Sequence, residues 1–172
     1  MTGESTLVVM GVSACGKSTL AAALAARRGV EYLDADGLHP AANIRKMSEG
    51  IALDDADRWP WLDLVGARMR SGEGIVVACS ALRRIYRDRL RRSAPDVVFV
   101  HLQGDRQRLL RRAQERPDHF MPASLLDSQL AALEPLGVDE RGLVVDIDVP
   151  THRACDDVEA VLGKVALSSS TP

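Results

Sequence analysis

Residues 6–19 read TLVVMGVSACGKST, which combines a short apolar run, a glycine-containing loop and the start of an alanine-rich stretch. From Gly11 to Thr19 the chain fills the pattern G-x-x-x-x-G-K-[ST] at every fixed position. In such a P-loop, the glycines allow successive backbone N–H groups to turn around a phosphate anion. A strand before the loop and a helix after it complete the required context. The stretch therefore predicts a nucleotide-binding α/β fold.

Two side chains of this loop have predicted roles in handling phosphate. Lys17 should reach the β- and γ-phosphates, and the Ser18 hydroxyl is placed to hold Mg²⁺. The following helix directs its N-terminal partial positive charge at the same anion. Ala14 stands where P-loops commonly have another glycine, which should restrict positive φ there but leaves the two motif glycines intact. The predicted cofactor-binding residues are Gly11, Val12, Ser13, Ala14, Cys15, Gly16, Lys17, Ser18 and Thr19.

Length and composition predict one domain. The chain has 172 residues, of which 46% are hydrophobic, and this is enough for one well-buried α/β domain but not for two. We expect that domain to cover residues 1–167 and residues 168–172 to form a flexible tail. A formal net charge of −2 and an aromatic content of 3% argue against a nucleic-acid partner, which needs excess basic charge and stacking rings.

Cysteine usage and hydropathy bear on the protein's location. Cys15, Cys79 and Cys155 are odd in number and far apart, so they indicate neither a disulfide framework nor a zinc site. No apolar run approaches membrane-spanning length, and Glu4 stands where a secretion signal would carry basic charge. We therefore expect a cytoplasmic protein with no membrane partner.

Short apolar runs alternate with helix-forming stretches along the chain. Because the runs are continuously apolar, they predict parallel strands covered by helices on both faces. The expected α/β fold has three layers, α/β/α, around a five-stranded parallel sheet, with ligands at the carboxyl edge of the strands. The predicted strands span 6–10, 31–33, 75–78, 97–102 and 143–147, and the predicted helices span 17–28, 60–70, 83–92, 105–116, 123–133 and 153–167.

Two carboxylates, Asp34 and Asp36, follow the second predicted strand. In extended chain, residues i and i+2 face the same side, so both should lie at the edge that carries the P-loop. One could organise Mg²⁺ while the other accepts the proton of an attacking hydroxyl, as phosphoryl transfer requires. The spacing does not say which of the two is the base. The alternative is an Asx turn that merely ends the strand.

Further motifs follow one another in order. They are DADGLHP (34–40), NIRKM (43–47), DADRWPWL (55–62), CSALRRIYRDRL (79–90), HFMP (119–122) and LEP (133–135). Together with the P-loop they resemble, over roughly residues 6–165, the gluconokinase family of P-loop small-molecule kinases, which is related to the shikimate and adenylate kinases. The resemblance implies a P-loop kinase fold with a helical lid. It also implies ATP-dependent phosphorylation of D-gluconate at its terminal hydroxyl, giving 6-phospho-D-gluconate and ADP and feeding the pentose phosphate pathway.

The implied substrate is a small anionic polyol. Its pocket should offer cations for the carboxylate and mixed donors and acceptors for the hydroxyls. Arg83 and Arg87, at i and i+4, should share one helix face toward this pocket. The predicted substrate-binding residues are Asp36, His39, Lys46, Arg58, Arg83, Arg87, His119 and Gln129.

A second arginine cluster lies where the family has its lid, which would cover roughly residues 112–135. Arg112 and Arg116 share a helix face, and a closed lid would use them to neutralise transition-state charge and to exclude water. Pro117-Asp118 replaces a more usual basic residue and glycine, which should stiffen the hinge. The predicted catalytic residues are Lys17, Asp34, Asp36, Arg112 and Arg116, and the predicted metal-holding residues are Ser18 and Asp34.

Two alternatives stand beside a gluconate kinase. A kinase of the same fold could act on another small acceptor, such as a related aldonate or shikimate, with different pocket charges. A nucleotide-binding regulator would bind ATP without acceptor-dependent ADP release. A GTPase is disfavoured because the guanine-reading sequence Asn-Lys-x-Asp is missing; Asn43, the only asparagine, precedes Ile44. The relatives suggest a homodimer.

Overall fold

Five parallel β-strands form the centre of the fold. The computed structural model describes residues 5–70, 73–116 and 122–168. Each strand pairs in parallel with its neighbours, in the spatial order β2-β3-β1-β4-β5. This confirms the predicted sheet. The strands are β1 (Leu7–Met10), β2 (Glu31–Asp34), β3 (Ile75–Ala78), β4 (Val98–Gln103) and β5 (Gly142–Asp146).

Within the described residues, seven α-helices and one short 3₁₀ helix, Ala35–Leu38, lie between the strands or after the last of them. Six of these helices were predicted from the sequence, whereas α2 and the 3₁₀ helix were not. Both missed elements are short, with eight residues in α2 and four in the 3₁₀ helix, and each buries one residue, Asn43 and Ala35 respectively. The helices are α1 (Lys17–Arg28), α2 (Ala41–Ser48), α3 (Asp55–Met69), α4 (Arg84–Ser93), α5 (Arg106–Gln114), α6 (Ala123–Ala132) and α7 (Thr151–Ser168).

The helices cover both faces of the sheet, which confirms the predicted three layers. One face packs against α1, α5, α6 and α7, with Leu24, Leu109 and Val158 in its core. The other face packs against α3 and α4, with Trp61 and Leu90 in its core. The central strand β1 is fully buried, because each of its four side chains enters one of these two cores.

Helix α3 begins five residues before its predicted start at residue 60. Asp54 and Asp57 form a capping box: each carboxylate accepts the backbone N–H of the other residue, at 2.8 and 3.0 Å. Pro60 was predicted in the first turn but lies in the helix interior. Because proline has no N–H, the helical hydrogen bond to the carbonyl of Ala56 is lost there. The earlier start places Asp55 and Asp57 on an ordered first turn.

The C-terminal helix α7 extends to Ser168. The first residue of the predicted tail is therefore helical, and residues 169–172 lie outside the described residues. Among the described helices, none has the length and apolar content to cross a membrane.

Candidate active site

The carboxyl ends of three neighbouring strands meet at one edge of the sheet. The P-loop leaves β1, Asp34 ends β2, and a turn over Cys79–Ala81 leaves β3. The Gly11 N–H donates to the Ser80 carbonyl at 3.3 Å, which ties the P-loop to the β3 turn. Parallel topology thus brings together segments that are far apart in sequence, at the edge where α/β folds bind ligands.

Two glycines give the P-loop its shape. At Gly11, where φ is +145°, a Cβ atom would lie 2.7 Å from the Leu102 carbonyl oxygen and 2.8 Å from Cys15 Sγ. Gly16 adopts a left-handed conformation with φ of 95° and forms the N-cap of α1. These positions allow the loop to pack under the helix N-terminus, whose free N–H groups are suited to bind an anion.

Two alanines at this edge adopt left-handed backbone conformations. Ala14 in the P-loop has φ of 65°, and Ala81 in the β3 turn has φ of 43°. An L-residue with a Cβ pays about 1 kcal/mol for this conformation. Although Ala14 was expected to restrict positive φ, the loop imposes it. Strained backbone of this kind is concentrated at functional sites.

Lys17 lies over the P-loop. Its Nζ donates to the Val12 carbonyl at 3.0 Å and lies 3.9 Å from Cys15 Sγ. Burial raises the pKa of the Cys15 thiol, although the charge of Lys17 acts in the opposite direction. Cys15 is therefore a neutral packing group under the loop.

Ser18 and Asp34, the two predicted metal-holding residues, lie next to each other. The Ser18 Oγ is 3.5 Å from Asp34 Oδ2. A hydroxyl and a carboxylate oxygen at this distance are the hard oxygen ligands that Mg²⁺ prefers, and Mg²⁺ keeps several of its waters. The residues present therefore fit a magnesium ion bound with a nucleotide.

The expected extended geometry of Asp34 and Asp36 is wrong. Asp34 ends β2 and caps the 3₁₀ helix, and its Oδ1 accepts the Asp36 backbone N–H at 3.0 Å. The Asx turn considered as the alternative is therefore present. It also separates the two carboxylates functionally, because Asp34 has one oxygen committed to the turn and the other directed at Ser18. Asp36, on the 3₁₀ helix itself, is exposed.

His39 follows the 3₁₀ helix and stacks on Trp61, with ring centroids 4.3 Å apart and an interplanar angle of 15°. Its Nδ1 lies 3.3 Å from the Asn43 amide nitrogen, which also donates to the Asp57 carbonyl. Because that amide is a donor, Nδ1 accepts and Nε2 carries the proton of the neutral ring. Burial lowers the pKa of His39, although the charge of Asp36 opposes the effect. His39 is thus held as a neutral ring beside Asp36.

Three predicted cations are paired with carboxylates of the first turn of α3. Lys46 Nζ donates to both carboxylate oxygens of Asp57, at 2.8 and 2.7 Å. Arg83 Nη1 donates to Asp55 at 3.1 Å, and Arg58 Nη1 lies 3.9 Å from the same carboxylate. The hydrogen bond from Lys46 holds the pKa of Asp57 below its usual range. The structure thus brings Lys46, Arg58 and Arg83 to one region through α3.

The position of Arg87 contradicts the prediction that this residue binds substrate. Its side chain is fully buried, and it forms a bidentate ion pair with Glu140, at 2.8 and 3.0 Å. Its remaining donors bond to the carbonyls of Ala81, Leu82 and Pro135. Arg83 is the N-cap of α4 rather than a residue of the helix, so the expected shared face of Arg83 and Arg87 does not exist. Arg87 is a structural residue under the β3 turn.

Gln129 contacts the P-loop and not the cation cluster, the name used here for Lys46, Arg58 and Arg83. Its Oε1 accepts the Ser13 backbone N–H at 2.7 Å, and its Nε2 donates to Ser13 Oγ at 3.0 Å. Both ends of the amide are therefore occupied by one residue. The contacts join α6 to the phosphate-binding loop, and substrate binding by Gln129 stays a prediction.

The two predicted lid arginines differ in their surroundings. The Arg112 guanidinium lies 3.7 Å from the position that a Cβ on Gly16 would occupy. It donates to the Ile147 carbonyl at 2.5 Å and lies 3.7 Å from Asp148. Arg112 thus reaches the P-loop, whereas Arg116 is exposed at the end of the segment. His119 and the Pro117-Asp118 pair lie outside the described residues.

Three residues of this region were missed as functional candidates. Asp55 and Asp57 were noted only as parts of a motif, and Tyr86 as part of another. The repeated Asp at 54 and 57 is a capping pattern that would have placed the start of α3 correctly. Nothing in the local sequence pairs Tyr86 with Asp55, which it contacts across 31 residues.

Comparisons with known proteins agree with this geometry. A profile of the family described as AAA domain matches residues 7–136. The gluconokinase of Gluconobacter oxydans (strain 621H) is 51% identical over 138 residues, 78% of this chain and 78% of that protein. The thermosensitive gluconokinase of Escherichia coli (strain K12) is 44% identical over 153 residues, 86% of this chain and 81% of that protein. A crystal structure of a gluconokinase from Sinorhizobium meliloti 1021 has a TM-score of 0.89 at 47% identity, covering 95% of this chain and 94% of that chain.

Proposed function

The chain belongs to the gluconokinase family, and we propose that it transfers the terminal phosphoryl group of ATP to the terminal hydroxyl of D-gluconate, giving 6-phosphogluconate and ADP. The observation that carries this proposal is the sheet edge where the P-loop adjoins Asp34 and Asp36. A cluster of cations suited to an anionic acceptor, formed by Lys46, Arg58 and Arg83, lies around the first turn of the neighbouring helix α3.

On the nucleotide side, the P-loop N–H groups and the N-terminus of α1 bind the phosphates. Lys17 moves from the Val12 carbonyl to the β- and γ-phosphates. Ser18 and Asp34 are the residues that would hold Mg²⁺, and the ion would supply positive charge to neutralise the phosphates. The 3.5 Å distance between Ser18 and Asp34 supports this assignment.

On the acceptor side, Asp36 is the general base. It orients the terminal hydroxyl of gluconate and takes its proton as the oxygen forms a bond to the γ-phosphorus and the bond to the ADP oxygen breaks. Asp34 is the weaker candidate because one of its oxygens caps the 3₁₀ helix and the other faces Ser18. The neutral His39 beside Asp36 donates to a substrate hydroxyl through Nε2.

The cation cluster binds the other end of the substrate. Arg58 and Arg83 receive the gluconate carboxylate, since guanidinium groups bind carboxylates with two parallel hydrogen bonds. Lys46 contacts a hydroxyl through a donor that Asp57 leaves available. From the family resemblance we carry over His119, which lies outside the described residues, as a further substrate ligand.

The lid closes over the phosphates, with Arg112 and Arg116 offsetting the negative charge that spreads over the transferring group. Arg112 is already within reach of the P-loop at Gly16. Closure excludes water, so that gluconate and not water accepts the phosphoryl group.

The test is ADP production by the purified protein with Mg·ATP. The arms contain no acceptor, D-gluconate, other aldonates, glucose or shikimate. We expect turnover that gluconate raises selectively. Equal or greater turnover with another acceptor would contradict the assignment of gluconate as the substrate. ATP binding without any acceptor-dependent turnover would favour a nucleotide-binding regulator.

A further inference from the structure

Tyr86 lies at the centre of the cation cluster. Its hydroxyl donates to Asp55 Oδ1 at 2.5 Å and accepts from Arg58 Nη1 at 3.3 Å. The guanidinium carbons of Arg58 and Arg83 lie 5.4 and 5.6 Å from the centroid of its ring. One aromatic side chain therefore contacts both arginines and the carboxylate between them.

We propose that Tyr86 and Asp55 are positioning residues that fix Arg58 and Arg83 as a two-arginine clamp for the carboxylate of the acceptor. The inference deepens the proposed function and rests on it. It assigns the discrimination between a sugar acid and a neutral polyol to a pair of residues that do not themselves contact the substrate.

The burial pattern separates a fixed centre from accessible arginines. Tyr86 is only 5% exposed, and the edge of the Trp59 ring packs against it at a centroid distance of 5.8 Å. By contrast, the side chains of Arg58 and Arg83 are 31% and 37% exposed. A buried ring thus holds two cations that still reach solvent, where a ligand can bind them.

Each guanidinium keeps donors for a ligand. Arg58 uses Nη1 for the Tyr86 hydroxyl, and Arg83 uses Nη1 for Asp55. Within the described part of the chain, Arg58 Nη2 makes no hydrogen bond, and the Arg83 guanidinium divides its bonds between Asp55 and the Tyr86 side chain. Glu134, at 3.8 Å from Arg83 Nε, is beyond hydrogen-bond distance. The bound edge of each guanidinium is therefore fixed while another edge stays open to a carboxylate.

Holding the arginines in advance increases affinity for an anion. An arginine loses side-chain freedom when it binds a ligand, and a protein that orders it beforehand reduces that loss. Asp55 supplies the charge that orders Arg83, and the Tyr86 hydroxyl fixes Asp55. Tyr86 therefore acts on the acceptor only through Asp55 and the arginines, and this dependence can be measured.

The experiment compares the wild type with Tyr86→Phe, Asp55→Ala and the double variant. For each we measure the KM for gluconate, the KM for ATP, kcat, and the inhibition constant of D-gluconamide, in which a neutral amide replaces the carboxylate. Tyr86→Phe keeps the buried ring and removes only the hydroxyl. Tyr32→Phe, on strand β2 and 37% exposed, is the matched control for loss of a tyrosine hydroxyl.

We expect Tyr86→Phe to raise the KM for gluconate by about three- to tenfold with kcat and the KM for ATP unchanged. Inhibition by gluconamide should not change, because the amide carries no charge for the clamp. In the Asp55→Ala background, Tyr86→Phe should raise the KM for gluconate by a smaller factor than in the wild type, because only the direct contact of the Tyr86 hydroxyl with Arg58 is then left to lose.

Three outcomes would overturn the proposal. They are equal effects of Tyr86→Phe on gluconate and gluconamide, additive effects of the two substitutions, and an unchanged KM for gluconate in Tyr86→Phe. Failure of the proposed function itself would look different, since the wild type would then show no gluconate-dependent turnover. Thermal unfolding of each variant checks that the variant is folded before its kinetics are compared with those of the wild type.

Discussion

Arg87 and Glu140 form an ion pair in which neither side chain has any solvent exposure. Two parallel hydrogen bonds, at 2.8 and 3.0 Å, join helix α4 to the turn before β5. The Gly137 N–H also donates to Glu140 at 2.8 Å. Arg87 also donates to the carbonyl of Ala81, which has a left-handed conformation in the β3 turn. The pair therefore helps to hold the backbone of the candidate active site in place.

Glu140→Gln should destabilise the protein by about 3 kcal/mol, because it leaves the buried Arg87 guanidinium without its countercharge. Asp127→Asn is the control: Asp127 pairs with Arg106 on the surface, where both side chains are about half exposed, and it should change stability by less than about 1 kcal/mol. Urea unfolding gives both free energies. A loss no larger in Glu140→Gln than in Asp127→Asn would contradict the structural role of the pair.

The same pair predicts a dependence of stability on pH. Burial alone would raise the pKa of Glu140, but hydrogen bonds from Arg87 and the Gly137 N–H hold it below its ordinary value of 4.5. A carboxyl whose pKa is lowered by folding stabilises the protein above its unfolded-state pKa, and this contribution is lost as the pH falls through the folded-state pKa. Below pH 4.5 the wild type should therefore lose stability more steeply than Glu140→Gln. Parallel curves for the two proteins would show that Glu140 does not contribute.

The parts of the fold that could be predicted from the sequence depend on local patterns. The helix Lys17–Arg28 and the strand Ile75–Ala78 have the predicted bounds, because a P-loop fixes the start of one and a continuous apolar run defines the other. The short helix α2 was missed because its apolar residues do not repeat with a helical period over enough turns.

The contacts that decide the roles of single residues were not predictable in the same way. Gln129 reaches Ser13 across 116 residues, and no local pattern encodes that distance. Arg83 and Arg87 lie four positions apart and look alike in sequence, yet one is over a third exposed and the other is fully buried. Burial depends on what packs above a helix, and here the covering segment contains Glu140 from much later in the chain.

Asp36→Asn should lower kcat by roughly 100- to 10,000-fold, because the amide cannot accept the proton of the attacking hydroxyl. ATP binding should be nearly unchanged. Asp34→Asn is the matched variant, and it should instead raise the Mg²⁺ concentration needed for half-maximal turnover, since Asp34 faces Ser18. Steady-state kinetics over a magnesium titration separate the two. Near-normal kcat in Asp36→Asn would remove Asp36 from the chemistry.

Gln129→Leu should raise the KM for ATP by about three- to tenfold and leave the KM for gluconate unchanged. The reason is that Gln129 bonds both the N–H and the hydroxyl of Ser13, so its loss frees the first turn of the P-loop. Gln107→Leu, at an exposed position of α5, controls for the loss of a glutamine. A selective rise in the KM for gluconate would instead support the prediction that Gln129 binds the acceptor.

Arg112→Ala should lower kcat/KM for ATP by roughly 10- to 100-fold, because Arg112 is the lid arginine that lies within reach of the P-loop at Gly16. Arg106→Ala is the control on the same helix. Its guanidinium pairs with Asp127 at the surface, so kinetics should not change.

The test also separates two contributions of Arg112. If the residue acts on the transferring phosphoryl group, kcat falls with kcat/KM; if it only holds the loop at Ile147, to whose carbonyl it donates, the KM for ATP rises at constant kcat. Equal kinetics in Arg112→Ala and Arg106→Ala would exclude Arg112 from the nucleotide site.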